Sequence, residues 1–169
     1  MRNMKTMNKL ISEIEKNYSD VKLEDGISLN MTEYLDTYQY DKEFLELAKL
    51  DERDDWTKIP DKVLEGHHVT FCFTDWKGFR FYIPAYMRWC LCNPMSSNII
   101  GDTTIYSLDI DTIEELYKRK ITEILDTPQI ETIIKFLEWC SFDNNNNCDF
   151  TVADDNLIKF YNLTGKILK

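Results

Sequence analysis

The sequence predicts an α+β fold: a mostly helical single domain over residues 1–169, with one aromatic-rich antiparallel β-hairpin at about residues 68–83 packed by helices. Three observations predict it. Apolar residues recur at helical spacing toward both ends of the chain. In the middle, Val69, Phe71 and Phe73 alternate with Thr70, Cys72 and Thr74, and Phe79, Phe81 and Ile83 alternate with Arg80 and Tyr82. A chain of 169 residues with 43% hydrophobic and 13% aromatic side chains is long and apolar enough to bury one core without a covalent staple.

The elements follow in order. Met7, Leu10, Ile11, Ile14 and Tyr18 form the stripe of an amphipathic N-terminal helix. Asn30 and Glu33 have the spacing of a capping pair and open a helix burying Met31, Tyr34, Leu35 and Tyr38. Another helix runs through Phe44, Leu47 and Ala48 to the acidic turn Asp51 to Asp55, after which Trp56 returns the chain to the core. Pro60 and Gly66 bracket a short helix.

In the hairpin, Asp75-Trp76-Lys77-Gly78 is the turn, and the register that pairs Phe73 with Phe79 also pairs Phe71 with Phe81 and Val69 with Ile83. One face is then wholly apolar. Pro84 ends the pairing and opens a helix that Asn93-Pro94 stops. Residues 95–108 read as loop with a short strand at Thr103 to Ser107. Asp111 and Glu114 cap one long helix carrying Ile113, Leu116, Ile121 and Leu125, and Thr127-Pro128 starts the next, its antiparallel partner. Residues 144–147 form a loop, and Thr151 with Asp154 caps a last helix carrying Leu157, Phe160 and Tyr161.

Charge narrows the function classes. The net charge is −10, and the pI is near 4.7. Residues 20–65 alone hold fourteen acidic against six basic groups, a net −8. Phosphate recognition draws on clustered Lys and Arg, so nucleic acid is not an expected partner; the run Lys118 to Lys120 lies in a helical pattern and reads as a solvated face. No stretch approaches the roughly 18 apolar residues of a membrane span, and no secretory signal opens the chain. Five cysteines at irregular gaps do not form a disulfide framework. A cytoplasmic protein with free thiols is expected.

Chemistry-bearing clusters are sparse. His67 and His68, the only histidines, point to opposite faces of a strand and could not readily share a metal ion. Cys72 and His68 share a strand face but stand about 13 Å apart along it, beyond proton-transfer reach. Asp109 and Asp111 resemble a cation-holding pair, yet Asp111 is required as a helix cap. No Gly-rich phosphate loop and no nucleophile elbow occurs. The sequence therefore implies no catalytic residue, no metal ligand and no cofactor.

The segment Gly78-Phe79-Arg80-Phe81-Tyr82-Ile83-Pro84-Ala85 resembles a motif, Gly-Phe-Arg-aromatic-Tyr-(Leu/Ile)-Pro-Ala, shared by a family of small uncharacterised bacterial proteins. Trp56, Gln129 and Phe136-Leu137 fit the same pattern, over about residues 30–162. The resemblance implies a bacterial source and a scaffold, and no activity.

Two surfaces are expected to matter. Asp51, Glu52, Asp54 and Asp55 with the turn residue Trp76 suit a basic protein partner, the manner of an immunity-type inhibitor masking a toxin or effector domain. Alternatively, Arg80, Tyr82 and Tyr86 line a small-molecule or enzyme pocket between the hairpin and the following helix, because Arg80 and Tyr82 share the face opposite the phenylalanines.

Overall fold

A computed structural model describes residues 4–37, 42–142 and 148–166. Tyr38 and the expected 144–147 loop lie outside the described residues. Ten α-helices are described: α1 Met4–Asn17, α2 Leu29–Thr37, α3 Lys42–Ala48, α4 Asp61–Gly66, α5 Trp76–Cys92, α6 Ile100–Tyr106, α7 Ile110–Tyr117, α8 Ile121–Ile124, α9 Thr127–Ser141 and α10 Phe150–Thr164. Short 3-10 turns stand at Trp56–Lys58 and Thr70–Cys72.

There is no strand among the described residues, so the α+β expectation is overturned. The supposed hairpin is a 3-10 turn followed by the 17-residue α5, the central helix of the core. Its cause lies in burial. Phe79, Phe81 and Ile83 are buried, but so are Tyr82, Ala85, Tyr86 and Met87 between and after them. A helix apolar nearly all round has no polar face to mark a 3.6 period, so a two-residue alternation appears by coincidence. The presumed turn is an N-terminal cap instead. The Asp75 carboxylate accepts from Gly78 N at 2.8 Å and also from Ile27 N at 3.1 Å, fixing the 23–27 segment against the start of α5. Pro84 sits within α5 and removes the donor that Arg80 O would have received; the helix continues through it, with both neighbours fully buried.

Other boundaries also move. Residues 103–106 belong to α6, with Ser107 as its C-cap, rather than to a strand. The long helix expected from 111 to 125 breaks at Lys118, whose φ of 52° is left-handed. Asp109, not Asp111, caps α7, its carboxylate accepting from Thr112 Oγ1 at 2.7 Å. Glu114 leaves the expected capping box and accepts from Ile121 N at 3.0 Å, closing the break from α7 to α8. Asp149, not Thr151, caps α10.

The predicted α4 and α9 stand close to their expected positions. An Asp126/Gln129 capping box opens α9, with Gln129 N donating to Asp126 at 2.8 Å and Asp126 N to Gln129 at 3.1 Å. The packing neighbours of α9 are α10 and α1, not the preceding helix. Buried polar tips are tied to backbone across the core: Trp56 Nε1 donates to Tyr18 O at 3.0 Å, and Tyr18 OH to Gln129 O at 3.3 Å. No helix among the described residues is long and apolar enough to cross a membrane.

Candidate functional site

Most of the acidic turn is engaged within the chain. Asp51 accepts from Asn30 N at 3.1 Å and from Asn30 Nδ2 at 2.6 Å, so a residue from the far side of α3 caps α2. One oxygen of Glu52 accepts three consecutive backbone N–H groups, those of Arg53, Asp54 and Asp55, at 2.9–3.1 Å. Asp55 caps the 3-10 turn, and the Thr57 hydroxyl, donating at 2.6 Å, holds its carboxyl below the usual aspartate range. Among the described residues the Asp54 carboxylate meets only Lys22, at 3.0 Å and in solvent.

The residue preceding this turn is the surprise. Leu50 is 81% exposed, and Leu45 and Leu47 on α3 are exposed as well. Only Ala48 of α3 is buried. Leu50, Asp51 and Glu52 together with Tyr82 line one cavity of about 270 Å³.

Trp76 stands at the first turn of α5, half-buried, rather than at a protruding hairpin tip. Arg119 and Arg80 lie over its ring at 4.8 and 5.2 Å, and Lys77 at 5.5 Å. Glu24 pairs with Lys77 at 2.7 Å and with Arg80 at 3.6 Å. The three expected pocket residues do not converge. Two positions apart on a helix, Arg80 and Tyr82 diverge by about 200°. Tyr86 is fully buried and donates to His67 O at 2.7 Å. Tyr82 is also buried; burial first, and then the nearby Asp51 carboxylate, raises its hydroxyl well above the tyrosine range. A pocket on a common face of these three, which depended on the hairpin, is therefore not formed.

A larger cavity than that beside Leu50 lies elsewhere, among the 68–72 segment, α6, α7 and α10. It holds about 620 Å³. Phe71, Ile113, Tyr117 and Val152 supply apolar walls. Cys72 and His68, set apart by the strand reading, both border this space in the observed turn. Lys159 reaches its rim and is held by Asp109 and, at 2.7 Å, by Asp111. Asp109 and Asp111 are thus joined through an ammonium group of the chain itself.

A family of unknown function, DUF6714, matches residues 6–163 of this sequence. The chain belongs to that family. Neither a curated protein nor a solved structure matches it. In this DUF6714 chain the segment Gly78 to Ala85 is the middle of α5, and its residues have structural reasons. A Cβ on Gly78 would meet Thr74 Oγ1 at 1.8 Å and Ile27 O at 2.7 Å. Phe79 meets Phe71 edge-on with centroids 5.7 Å apart.

Sequence reasoning missed Leu50 and the large cavity. Leu45 falls off the Phe44/Leu47/Ala48 stripe, a signal present in the spacing, whereas Leu47, which that stripe placed inside, is exposed. The cavity had no such signal, because its walls come from three stretches distant in sequence, 68–72, 103–117 and 152–159.

Proposed function

We propose that this DUF6714 protein is an acidic binding protein of the bacterial cytoplasm that engages a basic protein, as an immunity-type inhibitor engages a toxin or effector domain. The observation that carries this reading is the run of exposed leucines at 45, 47 and 50 leading directly into the acidic turn 51–55. Apolar side chains left in water beside carboxylates have the composition of a docking surface, with an apolar centre and a charged rim. The overall charge of −10 favours encounter with a basic surface. Asp54 is the rim carboxylate least committed to the fold, and Trp76 with its three cations lies outside the apolar run.

The test is binding to the product of the adjacent gene, measured by calorimetry at low and high salt. A complex whose affinity weakens with salt, and falls at least about tenfold in a Leu47→Ser/Leu50→Ser variant, supports the reading. A complex unaffected by that variant, or no complex, sinks it.

A further inference from the structure

We infer that the cavity between α6, α7 and α10 is a binding site for a small organic cation with a planar or otherwise apolar body. The inference is independent of the leucine surface, which lies on other elements. Its volume of about 620 Å³ falls in the range of small-molecule pockets. The walls are apolar and aromatic, with Phe71, Tyr106 and Tyr117 among them, and aromatic rings favour cations over anions.

Charge at the mouth selects in the same direction. Lys159 is the one Lys or Arg among the lining groups, and it does not offer an uncompensated charge. Two carboxylates, Asp109 and Asp111, hold its ammonium, leaving that trio at −1. Asp155, exposed on α10 and also lining the cavity, adds a further carboxylate. A ligand ammonium at this mouth would meet Asp155 and the surplus charge of the trio, whereas a carboxylate or phosphate there would meet repulsion.

The experiment compares two fluorescent planar probes of opposite charge, 9-aminoacridine as the cation and 1-anilinonaphthalene-8-sulfonate as the anion, titrated into the full chain at low salt. Saturable binding of the cation, at least about tenfold tighter than the anion, is expected. Asp155→Asn should weaken the cation about fivefold and leave the anion no weaker. Leu116→Trp, at a half-exposed lining position, should block the cation, with Val152→Trp as a second blocking variant if the first lowers the melting temperature. Equal or preferred binding of the anion, cation binding indifferent to Asp155→Asn and to both tryptophan variants, or no saturable binding overturns the assignment.

Discussion

Glu52 and Asp54 stand two residues apart and have opposite relations to the fold. Glu52 gathers the N–H groups of residues 53, 54 and 55, so its removal strips three donors of their acceptor. Asp54 holds one solvent-exposed lysine, an interaction worth about 0–1 kcal/mol. We therefore expect Glu52→Ala to lower stability by about 1–2 kcal/mol. Asp51→Ala, which uncaps α2, should cost about 1 kcal/mol. Asp54→Asn should leave the melting temperature unchanged within error. Thermal unfolding of the three variants checks this, and an Asp54→Asn protein as unstable as Glu52→Ala would contradict it. The same contrast decides how the docking surface is probed, since charge reversal at 51 or 52 confounds binding with folding. An acidic run in a sequence is usually taken as a solvated patch; here three of its four carboxylates act as local or long-range caps.

At the scale of the element, α5 organises the molecule. Its N-terminus is fixed by Asp75, which joins the 23–27 segment to the helix, and its body is buried through Leu91. Gly78 is where the backbone of Ile27 and the side chain of Thr74 come closest to α5. Any Cβ there must displace main chain as well as a side chain. Gly78→Ala should therefore destabilise the protein by about 2 kcal/mol or more despite alanine's better helix propensity, which alone would favour it by about 1 kcal/mol. Chemical denaturation measures the difference. A stabilised Gly78→Ala variant would show that the close approach is not rigid. The glycine, aromatics and proline of the Gly-Phe-Arg motif thus answer to packing, and Arg80 to its stacking on Trp76. The helix α3 is weakly tied to the core, buried only at Ala48, and it carries Leu45 and Leu47 of the proposed surface.

At the scale of the whole molecule, one link between distant segments is electrostatic. Lys159 on α10 joins Asp109 and Asp111 at the start of α7. Burial works against the Asp109 carboxylate, but hydrogen bonds from Lys159 and Thr112 outweigh it and leave its pKa below the ordinary aspartate value. A carboxyl depressed in the folded state contributes stability above its unfolded pKa of about 3.9 and loses it as pH falls through the depressed value. Lys159 is shifted upward by the same carboxylates, so its contribution holds below the usual lysine range and fades as pH rises through the raised value. Asp109→Asn, which keeps a capping side chain, should therefore lose stability at neutral pH and show a flatter decline from about pH 4 to 2 than the parent. Melting temperatures across that range provide the check; an unchanged acid limb would remove Asp109 from the account.

What the sequence determined by itself were features encoded within a turn or two of the chain. The stripe Leu10, Ile14 and Tyr18, the short helix after Pro60, and the helix beginning at Thr127-Pro128 were legible because half-buried helices display their period and caps sit beside what they cap. The tertiary structure alone decided three matters. It made residues 76–92 a helix, since burial on every side erases the pattern by which helix and strand are told apart. It committed Asp51 to Asn30 and Lys159 to Asp109, because such partners are close only after the chain has folded. It also created the cavity beside α7, whose walls come from segments up to about ninety residues apart, a separation over which one-dimensional spacing carries no geometric information.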